Sequence, residues 1–84
     1  MSYPFKDLDM EIKKAFAIVL RHVRTQKSIT VKELSRKAGL SERQVVNLEK
    51  GKHVPKIDKL FNLSFALGIE PTDFVMKIYE KIRP

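Results

Sequence analysis

Apolar residues recur at intervals of three and four along most of the chain, and glycine and proline divide this pattern into segments. The first segment runs from about Met10 to Gln26. Its apolar positions are Ile12, Phe16, Val19, Leu20 and Val23. This spacing places them on one side of an α-helix. Because no stretch alternates apolar and polar residues for long enough to indicate a strand, the pattern predicts helices only.

Two short helices follow, and each begins at a residue suited to cap it. Thr30 and Glu33 can form a capping box, in which the Thr30 hydroxyl accepts from the Glu33 amide and the Glu33 carboxylate accepts from the Thr30 amide. That helix ends at Gly39, which suits a left-handed conformation. Ser41 is the predicted cap of the next helix, with the acidic Glu42 in its first turn.

Two further helices are predicted, from about Ile57 to Leu67 and from Pro71 to about Lys81 or Ile82. Proline suits a first helical turn. The earlier of these helices is apolar on most sides, at Ile57, Leu60, Phe61, Leu63, Phe65 and Leu67. A helix with so wide an apolar arc is usually central, and we expect it to lie in the middle of the fold. The chain is therefore expected to form one compact all-α domain over residues 1–84, with five helices, an N-terminal extension at 1–9 and a C-terminal helix at 71–83.

The pair of short helices, at about residues 31–50, meets the requirements of a helix-turn-helix, whose two helices cross over a turn of three or four residues. Ser35 provides a small side chain at the crossing, and Gly39 tolerates the positive φ that the turn needs. Leu40 can fill the gap between the helices. Val45 and Leu48 give the second helix an inward side, which leaves its opposite side free.

That free side carries the candidate chemistry of the chain. Near the start of the second helix it presents Glu42, Arg43, Gln44 and Asn47. Residues at this place in a recognition helix reach base edges in the major groove. Arg43 can bond guanine O6 and N7 together, while Gln44 or Asn47 can pair with adenine N6 and N7. Glu42 either accepts from cytosine N4 or acts as a first-turn anion that assists Arg43. The alternative for all four residues is an ordinary solvated helix surface.

The net charge and its distribution along the chain indicate a polyanionic partner. The chain has 17 Lys and Arg against 10 Asp and Glu, a formal net charge of +7. Residues 27–56 contain eight basic and three acidic side chains, so five of the seven excess charges lie around the predicted helix-turn-helix. Such a concentration attracts nucleic acid, although a solvated helical surface is the simpler alternative. The basic segment lacks the interleaved aromatic residues of an RNA-stacking surface, which favours double-stranded DNA.

Composition also argues against several classes of function. The chain has no cysteine, which excludes disulfides and thiolate metal sites. The two histidines, His22 and His53, are far apart, and we predict neither a metal nor a cofactor. Without a Ser/His/Asp spacing, a glycine-rich phosphate loop or paired carboxylates, an enzyme is not expected. No segment has the ~18 consecutive apolar residues of a membrane span, and the N-terminus does not resemble a signal peptide, so we expect a cytoplasmic protein without membrane contact.

Several short motifs match a known family in combination. They are Leu34-Ser35, Ala38-Gly39-Leu40-Ser41, Val45, Leu48-Glu49-Lys50-Gly51, Pro55 and Ala66-Leu67-Gly68. Over roughly Phe16 to Val75 the chain thereby resembles the lambda-repressor-like, or XRE-type, helix-turn-helix proteins. The resemblance implies a sequence-specific, DNA-binding transcriptional regulator. In size the chain is similar to phage repressors of the Cro kind and to restriction–modification controller proteins, which occupy a promoter or contact RNA polymerase.

The resemblance also implies roles for residues around the recognition helix. Glu49 is expected to form a structural ion pair with Arg24, at the end of the first helix. Val31 departs from the family, which usually has a glutamine there that contacts a phosphate, and Thr30 or Lys32 can replace that contact. The predicted contacts to the DNA backbone are Thr30, Lys32, Ser41, Lys50, Lys52 and His53.

The last helix extends an apolar stripe beyond the point where a minimal domain of this family stops. Its residues Val75, Ile78, Tyr79 and Ile82 are a candidate dimer surface for binding a palindromic operator. In that case the core is expected to rest on the first four helices. Alternatively, these residues pack on the first helix and on the segment Tyr3-Pro4-Phe5-Leu8. A second function, an antitoxin that binds a toxin as well as its own promoter, is the alternative to a simple regulator.

Overall fold

The computed structural model describes residues 7–83, which contain five α-helices joined by short turns. The helices are α1 Leu8–Gln26, α2 Val31–Ala38, α3 Glu42–Glu49, α4 Ile57–Ala66 and α5 Pro71–Ile82. No strand occurs in this range, and the predicted all-α, five-helix class is confirmed. α1 begins before the predicted Met10, because the Asp7 carboxylate accepts a hydrogen bond from the Met10 amide at 3.1 Å and so caps the helix at Leu8. Tyr3, Pro4 and Phe5, the candidate partners of the last helix, lie outside the described residues.

The helix at the centre of the fold is α1, which packs against both α3 and α5. Its buried residues are Ala15, Phe16, Ala17, Val19, Leu20 and Val23. The prediction that α4 is central was wrong, because Ile57 is 67% exposed and Phe65 is 64% exposed. α4 contacts α2 and α5 and buries Leu63 and Ser64. One side of its wide apolar arc therefore has no covering helix within the described part of the chain.

α5 belongs to the core, so the expectation that the core rests on the first four helices was wrong. Phe74 is fully buried, and its ring centroid lies 5.5 Å from that of Phe16. Ile78, one turn further along α5, packs against the same buried cluster. An aromatic pair at this separation adds a favourable contact to the area that the two rings bury.

Local hydrogen bonds hold the two short helices at their predicted positions. Thr30 Oγ1 accepts from the Glu33 amide at 3.0 Å while the Thr30 amide donates to Glu33 Oε1 at 3.4 Å, which confirms the capping box. Gly39 ends α2 with φ +70°, a left-handed conformation that glycine adopts without strain. The Ser35 hydroxyl is buried in this pair of helices and donates to the Lys32 carbonyl at 2.8 Å. The turn thus directs the chain from α2 into α3.

Candidate nucleic-acid interface

The orientation of α3 is set by two side chains that it buries in the core. Val45 and Leu48 are both buried, and at about 100° per residue the opposite side of the helix carries Arg43, Val46 and Asn47. Arg43 and Val46 are exposed and Asn47 is partly exposed. Val46 is not among the predicted contacts, although its place three residues after Arg43 puts both side chains on one helix surface.

The side chain of Gln44 is engaged at the start of the same helix. Its Oε1 accepts from the Ser41 amide at 2.8 Å, and the Ser41 Oγ accepts from the Gln44 amide at 3.0 Å. This second capping box confirms Ser41 as the cap of α3. A bidentate pair with adenine needs the amide oxygen to accept from N6, so while Gln44 caps the helix that oxygen would have to accept through its second lone pair. The Ser-x-x-Gln spacing is the sequence signal for this arrangement.

The structure brings Arg24 and Glu49 together across the interface of α1 and α3. Arg24 donates from Nε to Glu49 Oε2 at 2.6 Å and from its Nη2 to Oε1 at 3.0 Å. Its Nη1 also donates to the Ile29 carbonyl at 2.9 Å, in the turn before α2. The two side chains are only 14% and 11% exposed, and the hydrogen bond to Glu49 raises the pKa of the Arg24 guanidinium.

The ion pair affects both the orientation of α3 and the charge at its end. One guanidinium connects α1, the α1–α2 turn and the last residue of α3, and so fixes how α3 is presented. The carboxylate of Glu49 is also neutralised. A free negative charge at the end of α3 would repel a polyanion, whereas this one is held by a bidentate partner.

The predicted phosphate contacts lie around α3. Thr30 and Ser41 are the N-caps of α2 and α3, and Lys50 is the C-cap of α3. All six predicted residues are exposed, namely Thr30, Lys32, Ser41, Lys50, Lys52 and His53. Both short helices thus begin with exposed capping hydroxyls at their partly positive ends, next to basic side chains.

A further basic side chain comes from α4. Lys59 donates from Nζ to the Gly39 carbonyl at 3.5 Å, at the turn of the helix-turn-helix. A groove beside α3 is lined by Leu40, Gln44, Leu48, His53, Val54, Pro55, Lys56 and Lys59. Lys59 is not among the predicted contacts because it is 20 positions from Gly39, and the packing of α4 on α2 brings the two together.

The predicted dimer stripe on α5 is divided between two environments. Val75 and Tyr79 are exposed, whereas Ile78 and Ile82 are half-buried. An open groove on the exposed side is lined by Phe61, Pro71, Thr72, Val75, Met76 and Tyr79. We name the exposed side of the two helices the α4–α5 apolar face, which consists of Ile57, Phe61, Phe65, Val75, Met76 and Tyr79.

Residues 7–83 contain no group of three or more His, Cys, Asp or Glu side chains placed to hold a metal ion. Among the helices that the structure describes, none is long and apolar enough to cross a membrane.

The two short helices and the turn between them define the class of the protein as a helix-turn-helix domain of the DNA-binding kind. Residues 20–74 match the helix-turn-helix family HTH_3, and the chain belongs to this family. The resemblance to lambda-repressor-like, XRE-type proteins is confirmed.

Individual relatives agree with this assignment. The HTH-type transcriptional regulator y4dJ of Sinorhizobium fredii is 27% identical over 66 residues, which are 79% of this chain and 86% of that protein. The restriction–modification controller protein C.AhdI of Aeromonas hydrophila is 29% identical, with a TM-score of 0.71 over 74% of this chain and 94% of its own. The clp gene regulator ClgR of Corynebacterium glutamicum shares the fold, with 24% identity and a TM-score of 0.78 over 86% of this chain and 94% of its own.

Proposed function

We propose that this protein is a sequence-specific transcriptional regulator that places α3 in the major groove of double-stranded DNA. The observation that carries the proposal is the free outer side of α3 with Arg43 at its centre. That side is presented by a helix whose start is held by the Ser41–Gln44 capping box and whose end is held by the Arg24–Glu49 pair. Binding groups held rigidly lose less entropy when DNA is bound. We expect this regulator to act in the cytoplasm.

Each part of the surface has a role in this proposal. Arg43 donates two hydrogen bonds to a guanine, and Asn47 pairs with an adenine. Glu42, which is exposed at the start of α3, accepts from cytosine N4 or orients Arg43. Gln44 uses its amide oxygen in the capping box, and its NH2 group, which no capping bond engages, donates to an acceptor such as guanine O6 or a phosphate.

The affinity of the complex comes mainly from phosphate contacts, which carry no sequence information. The contacts that we propose are those of Thr30, Lys32, Ser41, Lys50, Lys52 and His53, with Lys56 and Lys59 beside them. Each phosphate that a lysine neutralises releases a counterion, so binding must weaken as the salt concentration rises.

We further propose that the protein binds as a two-fold dimer to a palindromic operator through the α4–α5 apolar face. This face groups six exposed apolar residues on two adjacent helices, which is unusual for a surface that remains in water. α5 packs on α1 and α4, whereas α3 packs on α1 and α2, so a partner on α5 leaves α3 free for DNA. A two-fold dimer reads two half-sites about one helical turn apart.

The experiment that tests the function is selection of bound duplexes from a random DNA library, followed by titration of the enriched duplex at several salt concentrations. We expect one enriched motif with two-fold symmetry and a negative slope of log K against log salt. Enrichment of no motif, with equal affinity for all duplexes, would contradict sequence-specific regulation.

A further inference from the structure

Val46 is an apolar side chain in the middle of the surface that we assign to DNA. It lies on the outer side of α3, is 36% exposed, and is separate from the partly buried apolar residues that pack against the core in residues 7–83. Val45 and Leu48 are the residues that α3 buries in that core. Val46 is therefore not one of the residues that form the core of the described part of the chain.

A valine is also an unfavourable choice for this position on helical grounds. Its branched side chain restricts χ1 and makes it a poorer helix former than lysine or glutamate. α3 has only eight residues, so each position contributes to its stability. A single exposed apolar residue is common on protein surfaces. Val46 differs from such residues because its neighbours on the same helix surface are Arg43 and Asn47.

The chemistry of the major groove offers one partner for such a side chain. Valine neither donates nor accepts hydrogen bonds, and the apolar group that bases present in the major groove is the C5 methyl of thymine. Val46 follows Arg43 by three residues, a rise of about 4.5 Å along the helix axis. Successive bases of one strand are about 3.4 Å apart, so the two side chains reach neighbouring base steps.

We propose that Val46 is a specificity-determining residue that contacts the C5 methyl of a thymine next to the base pair that Arg43 reads. This inference rests on the proposed function, since it assumes that α3 lies in the major groove. It adds one feature to the expected half-site. A thymine stands one or two steps from the guanine of Arg43, and the protein detects its methyl group rather than a hydrogen-bonding edge.

The test removes that methyl group alone. The duplex selected by this protein is synthesised with each thymine replaced in turn by uracil, which keeps every hydrogen-bonding group and lacks only the C5 methyl. We expect the wild-type protein to lose about fourfold in affinity per half-site at one thymine, the effect of exposing about one methyl-sized group. Val46→Ala is expected to bind the thymine and uracil duplexes equally at that position.

A matched variant controls for general effects of shortening an exposed branched apolar side chain. Ile18 is 53% exposed on α1, away from the surface assigned to DNA, and Ile18→Ala is expected to retain the full preference for thymine over uracil. Thermal denaturation shows that both variants are folded.

The experiment distinguishes a failure of the proposed function from a failure of the role assigned to Val46. If no duplex is enriched, the proposed function is wrong. If a duplex is enriched but no thymine is sensitive to uracil, or if Val46→Ala keeps the sensitivity, the function stands and the role of Val46 is wrong.

Discussion

At the scale of single residues, the Arg24–Glu49 pair is a contact that local sequence patterns do not predict. Nothing in helix periodicity connects two residues 25 positions apart, and the family resemblance alone predicts the pairing.

Gln44 is a residue for which the local sequence pattern predicts two roles. Its spacing from Ser41 allows a capping box, and its place on α3 allows a base contact, so the pattern alone does not decide between them. The hydrogen bond at 2.8 Å assigns its oxygen to the cap.

Removing one partner of the pair is expected to destabilise the fold. Glu49→Ala leaves the Arg24 guanidinium largely buried and without its carboxylate. Breaking a buried pair costs about 3–5 kcal/mol and an exposed pair under about 1 kcal/mol, so we expect a loss of about 2–3 kcal/mol here. Urea denaturation followed by circular dichroism measures it.

Glu80→Ala is the matched control, because Glu80 is exposed on α5. Its unfolding free energy is expected to stay within about 0.5 kcal/mol of the wild type. If the Glu49→Ala protein has the same denaturation midpoint as the Glu80→Ala protein, the pair does not hold α3 in place.

At the scale of helices, the termini were more predictable than the packing. α2 and α3 begin at their predicted capping residues, because a cap is a local hydrogen bond between residues close in sequence. The packing of α4 was not predictable in the same way. Its apolar residues lie on two sides of the helix. One side faces the core, and the other, with Ile57, Phe61 and Phe65, is exposed. A hydropathy pattern does not distinguish the two sides. Periodicity identifies an apolar side but not what covers it.

The place of α5 in the core gives a prediction at this scale. Phe74→Ala removes a fully buried ring that packs on Phe16, and such a truncation costs about 3–5 kcal/mol of stability. Lys77→Ala, at an exposed position on the same helix outside the α4–α5 apolar face, is expected to change stability by under about 0.5 kcal/mol. Chemical denaturation of both variants compares them. A Phe74→Ala protein as stable as Lys77→Ala would mean that α5 is not part of the folding unit.

At the scale of the whole molecule, charge and hydrophobicity are segregated. The excess positive charge is concentrated in residues 27–56, whereas residues 57–84 have four basic and four acidic side chains and no net charge. The α4–α5 apolar face lies in this neutral part of the chain. Self-association through it therefore brings little like charge together. The predicted dimer stripe includes Ile78, which the structure packs against the core.

The dimer is best tested at an exposed residue. Tyr79 is 54% exposed, so Tyr79→Glu is expected to keep the monomer folded while placing two like charges across the two-fold axis. Sedimentation velocity at micromolar concentration should show a wild-type dimer and a Tyr79→Glu monomer. Ile78→Glu, in contrast, is expected to destabilise the fold itself.

Ile18→Glu controls for the added charge, because Ile18 is 53% exposed on α1 and lies outside the α4–α5 apolar face. This variant should remain dimeric. A wild-type protein that sediments as a monomer, or a Tyr79→Glu protein that stays dimeric, would remove this face from the assembly.

The central claim, that the outer side of α3 reads the base sequence, is tested most directly by the effect of Arg43→Ala on binding selectivity. The measurement compares the affinity of wild type and variant for the selected duplex and for a scrambled duplex at one salt concentration. Arg43→Ala is expected to lose about 1–3 kcal/mol on the selected duplex and little on the scrambled one. Lys52→Ala, which removes a proposed phosphate contact, is expected to weaken both about equally. An Arg43→Ala protein that loses the same affinity for both duplexes would contradict the assignment of α3 as the recognition helix.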